Sequence, residues 1–584
     1  MSDPATLLVD HLDIWTGAVE RKNGAGRGNG GKLSLCGIEK LRSLIFDLAV
    51  RGKLVPQDMK DEPSSSVLSK IEAAAKKLSA EKKIRGSIVC RPLSRKYHWY
   101  HVPQNWEWIA LGSCTNYGFS EKTNGNGLPP DTWVLELEDI EKRTSRLIQK
   151  LRFEERTFRS SKSCFQSGDV VYGKLRPYLD KVIVADEDGV CTTEMIPIRG
   201  HYGIDPHYLR IYLKSPHFVE FASSSVHGMN LPRLGTNRAR EAPFPIPPLA
   251  EQKRIVAKVD ELLALVDALE AGTHEAMAAH DTLVLELLAT LVNSEDADEL
   301  AENWSRIEAH FDTLFTTDAS IESMKQTILE LAVRGKLIKH EPDPHEKALD
   351  LLGQIATRRD ELIRMGIIRR DRVKPYPTAS PPFTIPQHWH WARIGEIALF
   401  TQYGTSQKAF EGTEGIPVLA MGNIQSGAVD TLSEKRIPDN SPELPDLFLQ
   451  PGDLLYNRTN SYELVGKTGL FQGAADSFTF ASYLIRIKLH PESTLPEFVN
   501  MVMNSSFFRS TQVEPKITKQ TGQANVNGTS MRSMLVPLPP HNEQQQIVER
   551  YKEFLHVLEG LRNRIIYSNQ LSIRLADELT AGQN

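Results

Sequence analysis

The chain has 584 residues, 40% of them hydrophobic and 24% charged, which excludes a single hydrophobic core and sets an expectation of three or four globular domains. A formal net charge of −5 excludes a protein that coats nucleic acid through bulk charge, while leaving local clusters of Lys and Arg able to bind a chosen site. Five irregularly spaced cysteines argue against a disulfide frame, and with no apolar run of membrane length and no secretory signal the expected compartment is the cytoplasm.

Residues 1–36 read as an N-terminal extension and a flexible linker. The glycine-rich run from Lys22 to Gly31 follows no apolar strand, so it lacks the context of a phosphate loop. A helical segment is expected over 37–101: Ile38, Leu41, Ile45, Leu48 and Ala49 keep helical spacing, Gly52 ends that helix, and a charged helix follows at about 64–84. A first globular insert spans 102–245, entered through Trp106-Glu107-Trp108, with strand-like runs such as Val170-Val171-Tyr172 and Val182-Ile183-Val184.

Residues 246–384 hold a long helix and a second helical segment. Ile255, Val259, Leu262, Val266 and Leu269 alternate steps of four and three, the narrow seam by which one helix packs along another. Leu283, Leu287 and Leu291 continue it, which makes a rod of roughly 60 Å at 1.5 Å per residue. Met324, Ile328, Leu331 and Ala332 then lead to Gly335, and Asp343-Pro344-His345-Glu346 reads as the start of a second charged helix ending near 365. A second insert spans 385–537, with runs at Leu454-Leu455-Tyr456 and Tyr483-Leu484-Ile485-Arg486-Ile487. In the C-terminal segment 538–584, Ile547, Tyr551, Phe554, Leu558 and Leu561 repeat the seam.

The chain is duplicated. Leu48-Ala49-Val50-Arg51-Gly52-Lys53-Leu54 returns at 331–337, and Val102-Pro103-Gln104-Asn105-Trp106-Glu107-Trp108 returns as Ile385-Pro386-Gln387-His388-Trp389-His390-Trp391, both shifted by 283. Ile246-Pro247-Pro248-Leu249-Ala250-Glu251-Gln252 matches 538–544 at a shift of 292. The period exceeds that of a solenoid, and residues 105–240 and 388–530 have diverged far more than the frame around them. A fixed frame with altered inserts suits a scaffold that presents two different readers.

Two stretches suit DNA. Residues 228–240 carry Asn230, Arg233, Thr236, Asn237 and Arg238 with no acid before Glu241, and residues 516–527 carry Lys516, Thr518, Lys519, Gln520 and Asn525. Lys and Arg neutralise phosphates, Arg pairs with guanine, and Asn or Gln pairs with adenine. Lys174, Arg176 and Tyr178 follow a strand and a glycine, and Arg458, Asn460 and Tyr462 stand at the same places 284 residues on. The tryptophans at the insert entrances are expected in the core, and Arg51 and Arg334 at helix ends or a subunit contact. Catalytic signatures are missing: Ser461 stands where a phosphate loop ending in Val465-Gly466-Lys467-Thr468 needs glycine, no Pro-Pro pair has the acceptor of an amino-methyltransferase, and His98, His101, His388 and His390 form no metal pair of helical spacing.

The repeated heptapeptide, the Ile-Pro-Pro-Leu-Ala-Glu-Gln-Lys-Arg-Ile-Val approach to the long helix and its Val-Pro-Leu-Pro-Pro-His-Asn-Glu-Gln-Gln-Gln-Ile-Val partner resemble the DNA-specificity subunit of type I restriction–modification systems. Residues 168–178 resemble its recognition domain, although the second copy lacks the Lys-Leu-Arg-Pro run. The resemblance implies an α+β protein with an internal pseudo-two-fold duplication, in which two mixed α/β target-recognition domains are separated by long antiparallel coiled-coil helices. It implies no catalysis and no cofactor or metal of its own; methyl donor and ATP belong to partner subunits. The implied partners are double-stranded DNA, two methyltransferase (M) subunits and restriction (R) motor–nuclease subunits. The alternative is a duplicated coiled-coil scaffold whose inserts bind proteins.

Overall fold

The computed structural model describes residues 10–22, 32–80, 91–224, 226–227, 231–340, 347–370, 381–520 and 522–581. The chain forms two compact units, one of Met1–Ala276 with Tyr567–Asn584 and one of Met277–Ile566. The long helices Leu249–Asn293 and His541–Ala581 both contain that boundary, so the chain leaves the first unit along one and returns along the other. No helix among the described residues is long and apolar enough to cross a membrane.

The repeated residues are the ones that join insert to frame. The helices Cys36–Val50 and Asp318–Val333 end in the same way: Gly52 and Gly335 take φ of +67° and +73°, and the amides of Lys53 and Lys336 turn back to the carbonyls of Leu48 and Leu331. Left-handed backbone favours glycine there, and space demands it. A Cβ on Gly52 would lie 2.5 Å from Pro103 Cγ, and one on Gly335 2.8 Å from Pro386 Cγ. The heptapeptide and the Trp-x-Trp entrance are thus packing partners.

Each entrance strand also pairs with the strand that leaves its insert. Glu107–Ala110 runs antiparallel to Pro243–Ile246, and His390–Arg393 to Leu535–Leu538. Immediately beyond, Gln252 and Gln544 are both fully buried. Gln252 accepts from the Asp205 amide and donates to the carbonyls of Gly203 and Pro247; Gln544 accepts from the Leu495 amide and donates to those of Ser493 and Pro539. This glutamine fastens helix, exit strand and insert together in both copies.

The inserts share a plan. Val170–Gly173 lies between Met195–Ile198 and Val182–Val184, as Leu454–Asn457 lies between Leu484–Leu489 and Thr468–Leu470, with antiparallel pairing throughout. Each insert also contains a parallel pair, Trp133–Leu135 with Gly189–Thr192 and Ile416–Leu419 with Thr479–Phe480, and the second insert pairs Ala428 with Leu470 in parallel as well. Asp169 and Asp453 follow glycines at φ of +85° and +89° and are almost wholly buried. Asp169 meets Arg199 at 2.7 Å and Asp453 meets Lys488 at 2.8 Å, so the repeated Gly-Asp turn is a structural anchor.

Several expectations need correction. Part of the stretch expected as linker, Lys22 and Lys32–Ser34, is strand. Glu20–Lys22 pairs with Lys32–Ser34, and the helix Leu12–Gly17 buries Trp15 completely. Asn569 holds both backbone groups of Val19, at 3.0 and 2.7 Å. Short apolar islands around Trp15 and Ala18 gave no periodic signal. The long-helix seam beyond 280 is formed by Val284, Leu288 and Leu291, while Leu283 is exposed, because a straight helix drifts out of a strict 3.5-residue repeat. The second charged helix is Ala348–Arg364, and the signal expected to start it at 343–346 lies outside the described residues, as do residues 23–31 and 81–90.

Gly37 marks where the extension docks: a Cβ there would lie 2.4 Å from the Trp15 carbonyl oxygen. Its counterpart in the second copy is Ser320, inside a capping box with Thr317. Gly37→Ala is therefore expected to cost about 1–3 kcal/mol of overpacking. The check is limited proteolysis, in which cleavage ahead of residue 36 should quicken; an unchanged pattern would remove the docking role.

Candidate nucleic-acid interface

In the first insert the chain leaves the strand Val170–Gly173 and bends sharply. Lys174 donates its amide to Glu194, Leu175 forms an antiparallel bridge with Arg233, and the Arg176 amide donates to the Pro232 carbonyl. Arg176 takes φ of +52° and is exposed, and Tyr178 is 51% exposed. The Lys174–Tyr178 stretch and the 231–240 stretch, read separately in the sequence, therefore form one edge.

Buried charge holds the far end of that loop. Asp180, at φ of +49°, meets Lys214 Nζ at 2.6 Å, and the same ammonium donates to the Arg143 carbonyl and the Ser145 hydroxyl. Burial pushes the Asp180 carboxyl up to about 6 against the opposing pull of Lys214, and burial lowers the Lys214 ammonium. Each charge depends on the other for solvation.

Among the other expected residues, Arg233 is taken up in a two-pronged pair with Glu194 at 2.9 and 3.1 Å, so it shapes the edge unless Glu194 is displaced. Thr236, Asn237 and Arg238 are exposed on the short helix Thr236–Arg240, with the Arg238 guanidinium 4.6 Å from the Phe221 ring centre. Asn230 lies outside the described residues.

The second insert repeats the geometry with other chemistry. Thr459 pairs with Asn525 and Asn460 with Ala524, and Thr518–Gln520 adds a third strand. The Thr459–Asn525 pair stands where the first copy has Leu175–Arg233. Tyr462 is 42% exposed, with Arg509 at 5.3 Å and Lys519 at 5.9 Å from its ring centre. Arg458 lies 5.0 Å over the Tyr403 ring and donates to the Ser482 carbonyl. The Asn460 side chain accepts from the Ser461 amide, and the exposed Thr518 hydroxyl donates to the Asn525 carbonyl. Lys516 is half-buried, and burial, followed by the nearby Arg393, lowers its pKa. Gln520 belongs to the strand, and the Asn525 side-chain oxygen is buried without a hydrogen-bond partner among the described residues.

Residues expected elsewhere are elsewhere. Trp106, Trp108, Trp389 and Trp391 are all buried, leaving no ring face for a base. Arg51 and Arg334 cap their helices, lying 5.7 Å over Tyr100 and 4.7 Å over Phe383. The Val465–Thr468 segment is a turn into a strand, with Thr468 paired to Tyr456. Sequence reasoning missed Arg509, Glu194 and the Lys214–Asp180 pair. It also missed a group formed by His340, His388 and Glu543, whose ligand atoms lie within 4.8 Å of one another. Only the unequal replacement of Gln57 and Asn105 by His340 and His388 could have signalled it.

Residues 386–566 match the family profile of the type I restriction modification DNA specificity domain. Two Escherichia coli proteins align end to end, each covering 98% of both chains. The EcoEI specificity subunit is 32% identical and the EcoAI specificity subunit 31%. A solved chain of the type I R-M system shares the fold at a TM-score of 0.51 and 17% identity, over 82% of this chain and 98% of that one. With the frame duplicated and both inserts presenting the same paired edge, the chain belongs to the specificity subunits of type I restriction enzymes, the non-catalytic DNA-recognition members of those complexes.

Proposed function

We propose that each insert reads one half of a bipartite, asymmetric sequence in double-stranded DNA, and that the chain brings methyltransferase and restriction subunits to that site in the cytoplasm. Two methyltransferase subunits, one for each repeated frame, and restriction motor–nuclease subunits complete the assembly. The long helices shared by both units set the length of the unread gap. The supporting observation is the pair of equivalent bridges, Leu175–Arg233 and Thr459–Asn525. Like geometry carries unlike side chains: the exposed Arg176 of the first copy has Asn460 as its counterpart in the second. Arginine reads guanine best and asparagine adenine, so the two half-sites differ. Lys174, Lys516 and Lys519 supply charge for phosphates.

The test exchanges residues 388–530 for the insert of another family member and maps methylated sites by sequencing, with the methyltransferase partner present. One half-site should change while the other is kept. If both halves stay as they were, the modular reading fails.

A further inference from the structure

We propose that His340, His388 and Glu543 form a binding site for a divalent cation of the zinc class, present in the second copy of the frame and lacking in the first. Three ligand atoms converge within 4.8 Å: Nδ1 of His340, Nε2 of His388 and a carboxylate oxygen of Glu543. They come from three separate places, namely the turn after the helix Asp318–Val333, the entrance of the insert and the first turn of His541–Ala581. Two imidazoles and one carboxylate, with a position left open, make a familiar zinc ligand set.

The hydrogen-bond geometry calls for positive charge between the imidazoles and the carboxylate. His340 Nε2 lies 2.5 Å from the Gly335 carbonyl oxygen, so that nitrogen carries a hydrogen. In the neutral ring the Nδ1 lone pair then faces Glu543 Oε2 at 2.9 Å, an oxygen that already accepts from Trp389 Nε1 at 2.8 Å. His388 Nε2 lies 2.5 Å from the other carboxylate oxygen. Either a proton, giving an imidazolium–carboxylate pair, or a metal ion removes that lone-pair repulsion; zinc at about 2.0–2.1 Å from each ligand sets neighbouring ligand atoms roughly 3.3 Å apart, so the contacts of 2.5 and 2.9 Å would open by roughly 0.4–0.8 Å. The surroundings are those of a supported site: a backbone carbonyl orients one imidazole, and an indole N–H steadies the carboxylate, which is 7% exposed.

The first copy supplies an internal comparison. Glu251, buried, faces Trp106 and Gln57. Gln57 and Asn105 occupy the positions of His340 and His388 at the same shift of 283. Amides can satisfy a buried carboxylate but are poor zinc ligands. The ion would act as a staple joining helix turn, insert and long helix in unit 2. None of its ligands belongs to the edge assigned to DNA.

The full chain, freed of metal with a chelator and dialysed against zinc, should retain one zinc per chain by elemental analysis. Cobalt in its place should give visible d–d bands without the thiolate charge-transfer band that the cysteines would produce. The double variant His340→Gln, His388→Asn carries the first copy's own residues, so it should fold, and with two direct ligands gone it should lose more than the roughly 100-fold that removal of an outer-shell partner costs. No zinc above buffer background in the parent chain, or undiminished zinc in the double variant, would leave an imidazolium–carboxylate pair only and overturn the proposal.

Discussion

Lys214→Met is expected to destabilise the first unit by about 3–5 kcal/mol, the usual result of stripping one partner from a buried ion pair. The Lys214 side chain is 1% exposed and gives hydrogen bonds to Asp180, the Arg143 carbonyl and the Ser145 hydroxyl. Methionine fills the volume but offers no proton. Asp180 would then be a buried carboxylate without its cation, at a backbone position of positive φ that cannot swing it outward cheaply. The measurement is urea unfolding of the full chain, followed by fluorescence and by proteolysis of the 174–181 loop. Asparagine tolerates left-handed backbone, so adding Asp180→Asn should restore most of the loss. A double variant no better than Lys214→Met would show that the charge is not the cause. The functional link is direct, because Asp180 anchors the loop that displays Arg176 and Tyr178.

Gln252→Ala and Gln544→Ala are each expected to cost about 3 kcal/mol or more, since each strands three backbone groups at roughly 1–3 kcal/mol apiece, partly relieved by relaxation. The same three kinds of group are lost in the two copies, so the penalties should agree to within about 1 kcal/mol, the scatter usual for one chemistry in two settings. Gln544→Glu should be worse than alanine: it keeps the acceptor for the Leu495 amide but sets a buried charge against the Ser493 and Pro539 carbonyls. Chemical unfolding of the three variants is the check. Penalties differing several-fold would mean that the repeated glutamine has different duties in the two halves.

These glutamines show what a single sequence makes legible. Repetition marked Gln252 and Gln544, the tryptophans and the helix-ending glycines as frame, and each packs as frame. Periodicity found the seam of Ile255, Val259, Leu262 and Val266, all fully buried, because one helix face recurs every three or four residues. The strands of the inserts were harder to read, for most run only two to four residues and alternate too briefly to register. What joins Lys214 to Asp180, or His340 to His388 and Glu543, has no local period at all; such partners are brought together by the path of the chain. The two candidate edges fell between these cases. Their residue types were readable, but the bridges that unite Leu175 with Arg233 and Thr459 with Asn525 were not.

The grip of Asn569 on Val19, and of Lys40 on Asp577 at 2.6 Å, has a consequence for synthesis. The second unit is one uninterrupted stretch, whereas the first contains both the opening residues and the last helical turns. The first unit therefore cannot complete its packing until residues 567–581 have been made, although its insert is translated first. A stop codon within those turns should injure the unit that holds the first insert and spare the one that holds the second.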